Sequence, residues 1–375
     1  MKNVKLGTLG DIFIGLTYRP DDVSANGTVV LRSSNIQEGQ LDFADTIRVN
    51  CKIRENLFVK ENDILMCSRN GSAKLVGKCT LIPKLNEDMT FGAFMTIIRT
   101  SHNAYLQHFF NSTAFRTQIK GSATTTINQI TRKMLDDIDV PIFDTNEEKH
   151  IVETFDKLTH LIALRTEQLK KLDELVKSRF IEMFGEVETN IKGFPMKIME
   201  ECCKFIGGAQ PDKSHFEYEK TDENIRLIQI RDYKSDRFIT YIPKSLARKT
   251  CTSSDIMIGR YGPPIFQILG GIEGAYNVAL MKAIPTDEFN VEYFRCFLKN
   301  EKLLRYLESF SQRTAGQDGI QIDKLNAYPC FVPPIELQNE FATFVEQTDK
   351  LKFEVKEALE KLEILKKSLM QQYFG

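Results

Sequence analysis

The sequence predicts an α+β protein: two mixed, strand-rich globules separated by two long helices that pair with each other, in a pseudo-twofold internal duplication. The first observation is a segment written twice. Shifted by 190 positions, Leu169, Leu172, Leu175, Ser178, Phe184 and Gly185 fall on Leu359, Leu362, Leu365, Ser368, Phe374 and Gly375, and Lys171 and Lys177 fall on Lys361 and Lys367. The second is that both copies place apolar residues at 3-then-4 spacing, one stripe of a long helix. The first stripe runs Phe155, Leu158, Ile162, Leu169, Leu172, Val176 and Met183, and the second runs Val355, Leu359, Leu362, Leu369 and Tyr373. Arg165, Arg179 and Lys366 interrupt these stripes, so neither seam is wholly dry. The third is that the blocks before the two copies repeat the same landmarks in the same order.

The chain's 375 residues exceed one ordinary core, and 42% apolar with 27% charged residues is a globular composition. No apolar run approaches the ~18 residues of a membrane span, and residues 1–13 lack a signal-peptide core. Eight cysteines without a C-x-x-C pair, and five histidines without ligand spacing, point to free thiols in a reducing cytoplasm, with no metal or cofactor expected. Net charge is −1, with 17 basic against 15 acidic groups in 1–146 and 20 against 18 in 191–335. Any nucleic-acid affinity of the isolated chain is therefore expected to be modest and local.

In chain order, residues 29–32 form a short β-branched run followed by the polar Ser33-Ser34-Asn35. A second apolar run at 64–67 breaks at Ser68-Arg69-Asn70-Gly71, and 91–99 reads as one buried strand. Tyr105, Phe109 and Phe110 recur at helical spacing, predicting a helix over 103–120. The polar stretch 121–129 follows, then Val140-Pro141, where the proline ends the block. A long helix is expected from 147 to 184, stopped by Gly185. The second block repeats these marks. Residues 225–230 precede Arg231-Asp232, DIMIGRYG (255–262) answers DILMCSRNG (63–71), and Tyr293, Phe297 and Leu298 answer the first aromatic helix. The polar stretch 311–321 precedes Val332-Pro333 and the second long helix. The expected division is 1–146, 147–190, 191–335 and 336–375.

A duplication of this period is too long for a solenoid. It suits an adaptor, and it suits better a reader of two DNA half-sites, because a rigid spacer fixes the number of base pairs between them. Residue by residue, Arg69 and Arg260 sit past matched strands beside glycines, where a guanidinium can reach guanine or a phosphate; a surface arginine on a turn is the plain alternative. Thr124, Thr125, Thr126, Asn128 and Gln129 in one polar stretch, and Gln312, Arg313, Gln317, Asp318 and Gln321 in the other, carry amide, hydroxyl and charged groups suited to base edges or to solvation. Ser34, Asn35, Asn70, Arg231, Tyr261 and Lys324 complete the candidate DNA-binding set. Leu158, Ile162, Leu169, Leu172, Val176, Val355, Leu359, Leu362 and Leu369 are the candidates for helix pairing. The aromatic helices read as core.

Catalytic motifs are missing. The nearest string to an amino-methyltransferase motif, Tyr261-Gly262-Pro263-Pro264-Ile265, lacks both the polar acceptor and the ring. Pro211-Asp212 with Asp232-Tyr233-Lys234 has the outline of a metal-dependent nuclease, but Asn35-Ile36-Gln37 stands at the matching place in the first block. No G-x-x-x-x-G-K-S/T string occurs.

The duplicated D-I-L/M…R-x-G segment, the polar stretch ending in V-P and the long helix closing in F-G resemble the specificity subunit of type I restriction-modification systems, over essentially the whole chain. The resemblance implies two target-recognition domains, each reading half of a split duplex-DNA target. It implies long helices that pair as an antiparallel coiled coil, dock the methyltransferase (M) subunits and through them the restriction (R) subunits. It implies no catalysis by this chain, no membrane, and no further domain at either end.

Overall fold

Short apolar runs bounded by Gly, Asn and Ser are too short to bury a face alone, and they do so here by stacking two small sheets in each half of the chain. The computed structural model describes residues 2–37, 39–121, 128–262, 264–310 and 319–375. It resolves into two compact units: Met1–Glu167 with Lys356–Gly375, and Gln168–Val355. The boundaries fall inside the two long helices, so each helix contributes to both units.

In unit 1 a four-stranded antiparallel sheet has the order Gly10–Ile14, Met95–Thr100, Ile64–Cys67, Cys79–Leu81, with Ile98 opposite Ile12 and Ile97 opposite Leu65. A three-stranded sheet sets Ile47–Val49 antiparallel and Met89–Phe91 parallel to Val23–Leu31, with Leu31 opposite Phe91. The stretch 91–99, expected as one strand, is therefore two. Met89–Phe91 and Met95–Thr100 belong to different sheets, and the chain turns between them where Gly92 donates to Leu31 O and Met95 donates to Gly92 O. Gly15 crosses this turn so closely that a Cβ would lie 2.1 Å from Gly92 O.

Unit 2 uses the same order: Cys203–Gly207, Leu280–Pro285, Ile256–Gly259, Gln267–Gly270. Its second sheet again holds a parallel pair, Asn224–Ile228 beside Gly274–Tyr276, with Ile228 opposite Tyr276. The close crossing recurs, since a Cβ on Gly208 would lie 2.1 Å from Asn277 O.

The aromatic helix expected over 103–120 is broken into Asn103–Phe110 and Thr113–Gly121. Ser112 makes the break, its hydroxyl accepting from Phe115 N at 3.2 Å and so capping the second helix. Unit 2 has the same break between Val291–Leu298 and Glu301–Phe310, with Asn300 Oδ1 accepting from Lys302 N at 2.8 Å. Pro141, expected to end its block, lies instead within the strand Asp139–Ile142 opposite Asn3 of Lys2–Lys5. A two-stranded ladder has only edges, and an edge position tolerates the missing N–H.

The long helices are Thr145–Phe184 and Ile335–Phe374. Each ends in a phenylalanine that plugs an aromatic core. Phe374, 5% exposed, packs against Tyr105 at 5.6 Å, Phe109 at 5.8 Å and Phe155 at 5.8 Å in unit 1. Phe184, fully buried, packs against Tyr293 at 4.7 Å and Phe341 at 5.5 Å in unit 2. Gly185 takes φ +77°, the left-handed conformation that ends a helix. Tyr105, Phe109, Tyr293 and Phe297 are core, as expected. Leu158 and Val355 are buried, and Ile162, Leu169, Leu172, Val176, Leu359, Leu362 and Leu369 are half-buried.

The aromatic helix meets the long helix differently in the two units. In unit 1 two histidine–carboxylate pairs hold it, His102 Nδ1 to Glu148 at 2.7 Å and His108 Nε2 to Asp156 at 3.0 Å. In unit 2 amides serve, Asn290 N donating to Gln338 Oε1 at 2.8 Å and Asn290 Nδ2 to Asn339 Oδ1 at 2.9 Å.

Candidate nucleic-acid interface

Beyond strand Ile64–Cys67 the ladder gives out, and the turn's backbone groups find other partners. Ser68 N, Ser68 Oγ and Arg69 N all donate to Phe94 O, at 2.9, 3.0 and 3.1 Å. The end of the polar stretch then returns to the same turn. Ile130 N donates to Ser68 O at 2.7 Å, Asn70 N to Asn128 O at 3.2 Å, and Asn128 Nδ2 to Gly71 O at 2.9 Å, while Gln129 bridges Arg69. Asn70 Nδ2 donates to Ser33 Oγ at 3.2 Å, tying in the short 3-10 turn Ser33–Asn35. Three segments far apart in sequence thus meet in an open concave surface lined by Arg69, Asn70, Gly71, Phe94 and Asn128. Arg69 is exposed, and its guanidinium lies 5.3 Å from the centroid of the Phe94 ring.

Unit 2 builds the same frame. Arg260 N donates to Ala279 O at 2.9 Å, Ile320 N donates to Arg260 O at 3.3 Å, and Gly319 bridges Tyr261. These bonds set the register: Ser68, which meets Phe94 and Ile130, answers Arg260, which meets Ala279 and Ile320. Arg69 therefore answers Tyr261. The two arginines occupy adjacent positions of a common frame rather than the same one. Arg260 lies over the neighbouring Tyr261 ring at 5.3 Å and places Nη1 3.3 Å from Val278 O.

The other candidates divide. Asn35 is fully buried and has no free amide for a groove: Oδ1 accepts from Arg32 N, and Nδ2 donates to Asp42 O and Asp45 O. Its counterpart Asp232 performs the same cap, accepting from Gln229 N at 3.1 Å. Burial raises the Asp232 carboxyl above the usual range, against the lowering pull of Gln229 N, Arg226 and Arg231. Asp212 spends its carboxylate on Ser214 N at 2.9 Å, which holds it below the usual range. Among the described residues no group of three His, Cys, Asp or Glu can hold a metal ion. The nuclease outline thus consists of two capping carboxylates, and it is set aside.

Arg231 is exposed but reaches inward to Thr240 Oγ1 at 3.2 Å, and Ser34 is half-buried with its carbonyl accepting from Gln37 Nε2. Gln321 donates to Phe310 O at 2.6 Å, and Lys324 sits 4.8 Å over the Phe310 ring. Thr124, Thr125, Thr126, Gln312, Arg313, Gln317 and Asp318 lie outside the described residues. Sequence reasoning missed Phe94 and Ser33. Phe94 was hidden because the apolar run around it reads as one strand, which gives no sign of a turn.

Comparison with known proteins finds relatives along the chain. Residues 1–174 match the family described as type I restriction modification DNA specificity domain. Similarity continues beyond that segment. The chain is 22% identical over 408 aligned positions to the EcoKI specificity subunit of Escherichia coli (strain K12), covering 98% of this chain and 87% of that one. It is 24% identical, with the same coverage, to the StySPI specificity subunit of Salmonella potsdam. The resemblance read from the sequence is borne out over nearly the whole chain. In fold it is similar to the type I restriction-modification S subunit from M. genitalium (TM-score 0.61, 14% identity, 100% of this chain and 96% of that one). It is also similar to a chain described in work on complex assembly and conformational transition of the type I R-M system (TM-score 0.57, 16% identity, 100% and 97%). Among the described residues no helix is long and apolar enough to cross a membrane.

Proposed function

We propose that this chain is the DNA-specificity subunit of a type I restriction-modification complex, reading a bipartite, asymmetric duplex target and docking methyltransferase subunits, and through them restriction subunits, without catalysis of its own. The observation that carries the reading is the frame built in both units from a strand end, a crossing turn and the returning polar stretch, with a different side chain at its centre in each: Arg69 in one, Tyr261 in the other. Two such frames of unlike chemistry suit two unlike half-sites.

The domain plan follows as part of the proposal: recognition domains at 1–146 and 191–335, spacer helices at 147–190 and 336–375. The helices pair antiparallel and set the length of the unread spacer. Packing inside each unit supports this, since the beginning of one long helix meets the end of the other, Phe155 with Phe374 in unit 1 and Phe341 with Phe184 in unit 2. The cytoplasm, where chromosomal DNA is found, is the proposed site of action.

The test is reconstitution. Purified alone with DNA, S-adenosylmethionine and magnesium, the chain should neither methylate nor cut. With methyltransferase subunits it should direct methylation to sites with two separated, unlike halves. Turnover by the lone chain that disappears in Asp232→Ala would restore the nuclease reading. Failure to shift any DNA, even with methyltransferase subunits present, would favour a scaffold that does not bind DNA.

A further inference from the structure

We propose that Phe94 is a positioning residue for sequence readout: its ring holds the Arg69 guanidinium as a flat, pre-oriented fork that takes one guanine in the half-site read by unit 1. The inference rests on the reading of the chain as a specificity subunit and adds which side chain selects which base.

The starting point is an oddity of burial. Phe94 is 57% exposed, though it stands between the buried strands Met89–Phe91 and Met95–Thr100. An exposed phenylalanine is unremarkable alone, but this one lines a concave surface and has a guanidinium over its face. Arg69 has no hydrogen bond or ion pair from its guanidinium among the described residues, so the ring is what restrains it. A free arginine side chain samples many rotamers, and an ordered planar fork gives up less freedom for each bond it forms. Guanine presents O6 and N7 as adjacent acceptors in the major groove, matching two parallel N–H groups, whereas adenine sets an amino donor where O6 would be.

Ring and arginine also share one anchor. The Phe94 carbonyl accepts from Ser68 N, Ser68 Oγ and Arg69 N, so main-chain bonds fix where the ring and the arginine leave the backbone relative to each other. On either side Asn70 is held by Ser33 and Asn128 holds Gly71, which leaves the Arg69 side chain as the unspent donor at the centre of the surface. Unit 2 is the internal control. Its counterpart of Arg69 is Tyr261, whose hydroxyl both donates and accepts, and Arg260 gives Nη1 to Val278 O. The guanine requirement therefore belongs to unit 1 alone at this position of the frame.

The experiment uses the full chain assembled with its methyltransferase subunits, with methylated sites mapped across a genome. Exchanging residues 1–145 for the matching block of a relative first assigns one half-site to unit 1. Wild type, Phe94→Ala, Phe94→Tyr, Arg69→Ala and Arg69→Lys are then compared. The expected result is one G·C pair in that half-site whose preference falls about tenfold to a hundredfold in Phe94→Ala, Arg69→Ala and Arg69→Lys. Phe94→Tyr should keep it, and the other half-site should be unchanged in all four variants. The proposal is overturned by any of four outcomes: no guanine in the unit 1 half-site, an unaltered motif in Phe94→Ala, full discrimination in Arg69→Lys, or loosening of both half-sites together, which would mark a fold defect. A wild-type complex that methylates no bipartite site would instead overturn the specificity-subunit reading, and this proposal with it.

Discussion

Units 1 and 2 share a strand order, a parallel strand pair and a glycine crossing, yet they differ at the point where a ligand would be met. The frame of each turn is made of main-chain bonds: Ser68 N to Phe94 O and Ile130 N to Ser68 O in one, Arg260 N to Ala279 O and Ile320 N to Arg260 O in the other. Backbone groups are the same whatever the side chain, so such a frame persists while the residues it displays change. Arg69 and Tyr261 can therefore stand at equivalent points without disturbing either fold. The difference teaches that the displayed side chain is separable from the architecture beneath it, and it can be attacked at several strengths.

The largest effect should come from exchanging a whole reader. Replacing residues 1–145 with the matching block of a relative should rewrite one half-site and leave the other intact, as seen by mapping methylated adenines. The structure sharpens the condition: the incoming block must keep a socket for Phe374, because Tyr105 and Phe109 line it. A continuous motif, or a change in both halves, would break the comparison.

Next come the two plugs. Phe374→Ala should cost unit 1, and Phe184→Ala unit 2, about 3–5 kcal/mol each. Hydrogen exchange should localise each loss, Phe374→Ala weakening protection of Asn103–Phe110 and Phe184→Ala that of Val291–Leu298. Equal weakening of both helices in either variant would contradict the separate cores.

A smaller effect separates the units by pH. Burial lowers the His108 pKa below its usual 6.5, outweighing the raising pull of Asp156, while nearby Lys366 adds to the lowering. A histidine depressed in the folded state adds stability at pH above about 6.5, and that stability is lost as pH falls towards its folded value, because the unfolded chain takes up the proton first. His108→Gln should flatten the acid-side loss of unit 1 stability below about pH 6.5, measured by denaturant titration across pH. The corresponding amide contacts of Asn290 with Gln338 and Asn339 do not titrate.

The smallest effect concerns salt. Each of the blocks 1–146 and 191–335 has a surplus of two basic groups, so the isolated chain should bind duplex DNA weakly, with a shallow dependence of affinity on salt. Titration of labelled DNA at several ionic strengths measures the slope, and nanomolar binding without partners would count against the surplus as the guide.

Much of the frame was legible in the sequence. Asp63 and Asp255 open the matched strands, the 3-then-4 stripes mark helices that begin and end within two residues of expectation, and the aromatic pairs are core. These signals are local and periodic, so they survive without a structure. The site was legible only in outline. Matching arginine to arginine put Arg69 opposite Arg260, whereas strand register shifts them by one, and register is set by a partner strand distant in sequence. Phe94 and Ser33 were invisible for the same reason, since only folding brings residues 33, 69, 94 and 128 together. Asn35 looked like a reader because a buried Asx cap has the same letters as an exposed amide.

The socket that receives Phe374 also bears on how the protein is made. Unit 1 contains the first 167 residues of the chain, but its aromatic core is completed by Lys356–Gly375, and the intervening segment belongs to unit 2. At roughly 5–20 residues per second, the ribosome needs about 10–40 s to translate that segment. Throughout that interval Tyr105, Phe109 and Phe155 lack the phenylalanine that covers them in the complete chain, whereas unit 2 has all its segments in hand once residue 355 has emerged. The first half to be synthesised is thus the last to be finished, and a nascent chain stalled before residue 356 presents these uncovered rings to the chaperones and proteases of its host.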